Sequence, residues 1–107
     1  MSISKEFSAL ILRRKCIEGD IDYENDQIIQ DAILLMTKDI AATIDFLDNG
    51  CTEEQFVWFS EIFDEVAAKS KSSEFIAALR RAAERFPEAV EKYNIRYFID
   101  SAAEYVE

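Results

Sequence analysis

Carboxylates are the only abundant reactive side chains in this chain of 107 residues. There are 22 Asp and Glu residues and no histidine. Without histidine the chain lacks the usual general base near neutral pH, the Ser-His and Cys-His nucleophile pairs, and the commonest zinc ligand. Neither Gly19 nor Gly50 belongs to a phosphate-cradling loop. Two kinds of chemistry remain, which are metal binding by carboxylates and recognition by charge.

Two carboxylate patterns could hold a metal ion. The first has the odd-position spacing of an EF-hand calcium loop and consists of Asp20, Asp22, Glu24, Asp26 and Asp31. Asn25 occupies the position that requires glycine there, and Asp31 is shorter than the usual bidentate glutamate. The second resembles the paired carboxylates of helical, magnesium-dependent pyrophosphohydrolases and consists of Glu61, Asp64, Glu65, Glu88 and Glu91. Solvated helix faces explain both patterns more simply. The sequence therefore predicts no metal ion, no cofactor and no catalytic residue, with a carboxylate-metal hydrolase as an alternative.

The negative charge is concentrated in the middle of the chain. The net charge is −10, but between Cys16 and Glu65 fourteen acidic residues face a single basic one, Lys38, giving −13 over that stretch. Direct binding to nucleic acid or to an anionic membrane is therefore disfavoured. Two interpretations stay open: the excess charge only promotes solubility, or it attracts a basic partner.

A helix from Thr52 to about Lys69 carries much of this charge. Thr52 and Gln55 form a capping box. Apolar residues at three- and four-residue spacing predict a wide buried face, and acidic residues line the outer row. The connector 69–73 is short, and Ser72 can cap a following helix that extends to Phe86. Helices at about 52–69 and 73–86 are therefore expected to form an antiparallel hairpin at the centre of the fold.

The rest of the chain is also helical in pattern. The first helix is predicted from Ser4 to about Cys16–Glu18, capped by Ser4 and ending in the basic run Arg13 to Lys15. Apolar residues from Ile29 to Leu47 predict either one long helix or two broken near Thr37, and we favour the break. Two further helices are predicted at 87–93, which begins with Pro87, and at 95–106, after Asn94. The fold class is therefore all-α, a compact single domain (1–107) of six to seven short helices.

Location and redox state follow from what the sequence lacks. It contains neither a membrane-spanning apolar run nor a secretory signal pattern, so we expect a cytoplasmic protein. In that reducing compartment Cys16, near the end of the first helix, and Cys51, in a loop, are expected to be unpaired.

The acidic residues are expected to form a partner-binding surface. Long-range attraction to such a surface speeds encounter with a basic macromolecule. Tyr23 adds an aromatic anchor of the kind that interfaces use, and Trp58 is a second possibility that packs in the core equally well. The predicted contact residues are Asp20, Asp22, Tyr23, Glu24, Asp26, Glu54, Glu61, Asp64 and Glu65.

The second half of the chain resembles a known class of protein. Residues 52–88 and 93–107 have, in order, a capped aromatic helix, a serine-rich connector, an EFI..LRR helix, a single proline and a closing YNI helix. In this they are similar to the small acidic immunity proteins that bacteria encode beside toxins of contact-dependent growth inhibition and related polymorphic systems. The resemblance implies an antitoxin that is not an enzyme. Such a protein binds its cognate toxin domain as a monomer, one to one, and the toxin is commonly a basic nuclease. The alternative is a phage-type DNA mimic that inhibits a host nuclease.

Overall fold

The computed structural model describes residues 3–15 and 22–106, with side chains from residue 26 onward in the second range. These residues form eight α-helices and one π-helical turn, with no strand among them. Their bounds are α1 Ile3–Lys15, α2 Asp22–Lys38, α3 Ile40–Asp45, the π-helical turn Phe46–Gly50, α4 Glu53–Ser60, α5 Phe63–Ser70, α6 Ser73–Arg85, α7 Pro87–Tyr93 and α8 Ile95–Glu104. The radius of gyration is 13.1 Å, as expected for one compact domain of this length. The predicted all-α class is confirmed, with more helices than the six or seven expected.

Phenylalanine side chains form the centre of the core. The Phe59 ring lies within 5.2 to 6.4 Å, centroid to centroid, of the rings of Phe7, Phe46, Phe63 and Phe75. These residues come from α1, the π-helical turn, α5 and α6, so this ring cluster joins both halves of the chain. Edge-to-face and tilted ring pairs at such distances stabilise a fold beyond the area they bury.

The helix predicted from Thr52 to Lys69 is two helices. At the break the amides of Glu61 and Ile62 donate to the carbonyls of Trp58 and Phe59, three residues back, at 3.4 and 2.9 Å. Ile62 has φ −120° and ψ 12°, outside the α-helical region. No glycine or proline marks the site. Ile62 and Phe63 are adjacent in the sequence, and both are buried. We attribute the interruption of the helix to the packing of both side chains in the core.

The predicted central hairpin of 52–69 and 73–86 is also corrected. α5 and α6 each pack against α8, and they make little contact with each other. The buried residues of α8 include Ala102, and those of α5 include Val66 and Ala67. Side chains of this size allow two helices to pack closely. The rings of Phe59 in α4 and Phe75 in α6 contact each other, with their centroids 5.9 Å apart. The closing helix therefore occupies the position expected for the hairpin contact.

The break predicted between 25 and 48 is present, two residues beyond Thr37. Asp39 is the cap of α3, with φ −146°, and its side chain accepts from the amide of Ala42 at 3.2 Å. Thr37 lies inside α2, where its hydroxyl donates to the carbonyl of Ile33 at 2.7 Å. A threonine that bonds back to its own helix is unavailable as a cap for the next one.

Most other helix ends lie where the sequence predicts them. Thr52 and Gln55 form both bonds of the capping box, and Ser72 accepts from the amide of Phe75 at 3.1 Å. Pro87 occupies the first turn of α7, and Asn94 ends it in the left-handed region with φ 54°. α1 begins at Ile3, before its predicted cap.

Candidate protein-binding groove

The structure describes the side chains of five of the nine predicted contact residues, Asp26, Glu54, Glu61, Asp64 and Glu65. Asp20 lies outside the described residues, and Asp22, Tyr23 and Glu24 are described only as backbone in the first turn of α2. Glu54 and Glu61, both exposed, line one groove. The other three do not line it: Asp26 and Glu65 are exposed elsewhere, and Asp64 is half-buried, accepting a hydrogen bond from the Ser101 hydroxyl at 3.2 Å.

Basic residues at the end of α1 pair with several of the acidic residues. Arg13 contacts Asp31 at 3.2 Å, Arg14 donates two hydrogen bonds to Glu61, and Lys15 pairs with Glu54. The basic run therefore has carboxylate partners in addition to the dipole of its own helix. Glu54 and Glu61 are exposed but partly neutralised by these pairs. Because the pairs are exposed, each adds little stability.

Arg14 is held by a ring as well as by a carboxylate. Its guanidinium carbon lies 4.6 Å from the centre of the half-buried Trp58 ring, while Glu61 binds its nitrogens. Planar guanidinium on an aromatic face is a favourable cation–π arrangement. This part of the surface therefore already binds one arginine, from the chain itself.

An open groove of about 720 Å³ lies beside this arginine, between α4 and the corner where α7 meets α8. We name it the aromatic groove. Its lining residues are Lys15, Glu53, Glu54, Val57, Trp58, Ser60, Glu61, Tyr93 and Phe98. Two aromatic side chains in it are strongly exposed, Tyr93 at 47% and Phe98 at 36%. Exposed aromatic residues in a concave site are typical of protein-binding hot spots.

Local structure explains why these rings are exposed. Asn94 turns the chain through a left-handed residue between two short helices, so Tyr93 and Phe98 flank a corner rather than the middle of a helix. Ile95 and Ile99 take the buried positions of α8. The contact residues predicted from the sequence do not include six residues that line the groove: Lys15, Glu53, Val57, Ser60, Tyr93 and Phe98. The sequence does contain a signal for the exposure of the Tyr93 and Phe98 rings. Aromatic residues are so frequent around Asn94 that two short helices cannot bury all of them.

The charge of the aromatic groove is negative overall. Three carboxylates, those of Glu53, Glu54 and Glu61, line it against one ammonium, that of Lys15. Glu53 is exposed and has no ion-pair partner among the described side chains. It also lies in the first turn of α4, where the helix dipole favours a negative charge. An incoming cation would meet at least one unneutralised carboxylate here.

The described residues offer little to the catalytic alternatives. In the window proposed for calcium, the backbone from Asp22 onward is α-helical, whereas an EF-hand wraps its ligands in a loop. No three His, Cys, Asp or Glu side chains within the described ranges lie close enough together to hold a metal ion. Burial raises the pKa of the Cys51 thiol to about 12, so it stays protonated at neutral pH and is a poor nucleophile. Cys16 lies outside the described residues.

The chain matches no protein-family model, no curated protein sequence and no solved structure. Among the described helices, none is both long enough and apolar enough to cross a bilayer.

Proposed function

We propose that this chain is an immunity protein that binds a cognate toxin domain, one to one and as a monomer, and neutralises it without a reaction of its own. The observation that carries the proposal is the aromatic groove, in which exposed Tyr93 and Phe98 lie beside the carboxylates of Glu53, Glu54 and Glu61. Aromatic anchors supply contact area, and surrounding charges select the partner and speed its arrival.

The proposed toxin is a basic domain, and a nuclease is the leading candidate. A nuclease binds phosphates and so presents cations, which an acidic inhibitor attracts from a distance. The chain's net charge of −10 suits such a partner. We propose that the encounter takes place in the cytoplasm, where an arriving nuclease would meet its substrate.

The proposed contact surface differs from the one expected from the sequence alone. Glu54 and Glu61 remain in it, and the first turn of α2, with Asp22, Tyr23 and Glu24, stays a proposal. Four residues that line the aromatic groove are added: Glu53, Trp58, Tyr93 and Phe98.

The DNA-mimic alternative has less support than the immunity function. A protein that imitates a phosphate backbone presents rows of unpaired negative charge. In this chain Asp31, Glu54 and Glu61 are each paired with a basic residue of α1. The exposed aromatic rings among the carboxylates are also typical of a protein-binding surface and have no counterpart in a phosphate backbone.

Co-expression with the protein encoded by the adjacent reading frame tests the proposal. We expect the two proteins to co-purify in equal amounts, and the chain to restore growth of cells that express the partner's toxic domain. An unrelated acidic protein of similar size and net charge is the control, and it should do neither. Absence of a complex and of growth rescue, with both proteins soluble, would contradict the proposed function.

A further inference from the structure

We infer that the aromatic groove binds an arginine side chain of the partner protein, held between the rings of Tyr93 and Phe98 and the carboxylates of Glu53 and Glu54. This inference rests on the proposed function, because it names the chemistry by which the partner would be held. The groove supplies two groups that bind a guanidinium, exposed aromatic residues and carboxylates.

The chain's own Arg14 shows that this surface can bind a guanidinium. It lies on the Trp58 ring at 4.6 Å and is bound by Glu61, at the edge of the same groove. Tyr93, Phe98 and Glu53 line the same groove, and no basic side chain among the described residues pairs with Glu53. The aromatic groove therefore has the side-chain types needed to bind a second guanidinium.

The Nζ of Lys92 lies 5.3 Å from the centre of the Tyr93 ring and is one internal competitor for this place. The other is Lys15. It lines the groove and pairs with Glu54, and the two side chains are 47% and 56% exposed. A pair this exposed is weak, so an arriving arginine can displace the lysine. Arginine is favoured over lysine as the ligand because its planar, weakly hydrated head both stacks on rings and binds a carboxylate with two hydrogen bonds.

Other occupants fit the groove less well. An apolar side chain would remove water from Glu53, Glu54 and Glu61 without giving them a partner, which is costly. A second copy of this chain would bring another net charge of −10 to the same contact.

Two variants that remove charges of opposite sign, and are expected to change affinity in opposite directions, test the inference. Glu53→Gln should weaken binding roughly tenfold by removing the free carboxylate, and Lys15→Gln should strengthen it roughly threefold by removing a competitor. Glu74→Gln and Lys69→Gln are the matched controls, because they change the net charge equally at exposed positions outside the groove. Each control should change affinity by less than about twofold.

Two partners are used in the measurement. One is the toxin domain from the adjacent reading frame, and the other is a poly-arginine peptide, compared with poly-lysine. Trp58 is the only tryptophan, so its fluorescence reports binding at the groove edge. We expect the groove variants to differ from their controls with both partners, and the wild type to bind poly-arginine more tightly than poly-lysine.

The outcomes separate this inference from the proposed function. If the wild-type chain does not bind the toxin domain, the proposed function fails, and the poly-arginine arm still decides the chemistry of the groove. If the toxin binds but Glu53→Gln and Lys15→Gln behave like their controls, the inference is overturned and the proposed function stands. A dimer in sedimentation that Tyr93→Ser dissociates would also overturn it, because the groove would then be occupied by a second copy.

Discussion

Arg14 shows how one side chain connects the charge of this protein to its fold. It lines a small apolar pocket together with Leu10, Ile29 and Ile62, and its guanidinium lies over the Trp58 ring. Only 26% of the side chain is exposed, compared with 53% for Arg13. Arg14 therefore contributes through packing and stacking, whereas the contribution of Arg13 is limited to an exposed ion pair.

Arg14→Ala should lower the free energy of unfolding by about 1 kcal/mol through lost packing and cation–π contact. Arg13→Ala, the neighbouring control, should lower it by less than about 0.5 kcal/mol. Urea unfolding followed by circular dichroism measures both. Equal losses in the two variants would show that the Trp58 contact has no energetic role.

The ion pair of Arg81 with Asp48 gives a pH dependence of defined sign. Arg81 donates two hydrogen bonds of 3.0 Å to this carboxylate and holds the pKa of Asp48 below its usual 3.8. A carboxylate with a lowered pKa in the folded state stabilises the fold above that usual value. The contribution is lost as the pH falls through the folded-state pKa.

Arg81→Met should therefore be less stable than the wild type at neutral pH, and the difference should shrink on acidification below pH 3.8. Melting temperatures measured across this range provide the test, and Asp48→Asn should remove the same pH dependence. A difference between wild type and Arg81→Met that does not change with pH would contradict the assignment.

At the scale of elements, Gln55 joins α1 to α4. Its side-chain oxygen accepts from the amide of Thr52 at 2.9 Å, completing the capping box. Its side-chain nitrogen donates to the carbonyl of Ser4 and to the hydroxyl of Ser8 in α1, at 3.1 and 2.7 Å. Gln55 is buried, so each bond would be costly to lose.

Gln55→Glu separates the two roles of this residue. Glutamate is equally suited to a capping box, so sequence rules alone predict no loss. The structure predicts a loss of about 2 kcal/mol, because a carboxylate cannot donate to the Ser4 carbonyl. Thr52→Ala, which removes only a cap, is the comparison and should cost about 1 kcal/mol. Chemical denaturation measures both, and an unchanged stability for Gln55→Glu would show that α1 is held without this contact.

Two helices end in left-handed residues that differ in their tolerance of that conformation. Lys71, after α5, has φ 52°, and Asn94, after α7, has φ 54°. Asparagine tolerates this region, whereas lysine is strained there. Lys71→Gly should therefore raise the unfolding free energy by about 0.5 kcal/mol, and Asn94→Gly should leave it nearly unchanged. Thermal melts compare the two, and the reverse order would contradict the strain assigned to Lys71.

Local signals determined which elements could be predicted from sequence. The capping box at Thr52, the cap at Ser72 and the starting proline at Pro87 each depend on a few adjacent residues, and each is where the sequence places it. The break at Glu61–Ile62 and the close packing of α8 on α5 and α6 depend on the core as a whole, which no local pattern encodes. At the break, tertiary packing overrides helix propensity.

The candidate site was predictable in part for the same reason. Glu54 and Glu61 follow from the outward face of a helix, so the sequence identifies them as exposed. Their pairing with Lys15 and Arg14 required the placement of α1 beside α4. Predicting the exposure of Tyr93 and Phe98 required the three-dimensional position of the turn at Asn94.

At the scale of the whole molecule, the acidity of the middle segment is redistributed by the fold. The acidic residues that give a net charge of −13 between residues 16 and 65 would form one negative region if their helices were adjacent. The basic end of α1 instead offsets acidic residues on α2 and α4 and at Glu61, and Arg81 and Arg85 do the same around Asp48. A partly compensated surface with exposed rings is more selective than a uniform negative face, because it rewards contact geometry as well as opposite charge.

Hydrogen–deuterium exchange of the chain, free and in complex with the toxin domain, tests most directly whether the aromatic groove is the binding surface. If the aromatic groove is the binding surface, protection should appear at the first turn of α4 and at the corner of α7 and α8. The outer face of α6, where Glu74 and Arg80 are exposed, should exchange as in the free protein. If a stable complex forms and protection is confined to α6, or is absent around Glu53, Tyr93 and Phe98, the aromatic groove is not the binding surface.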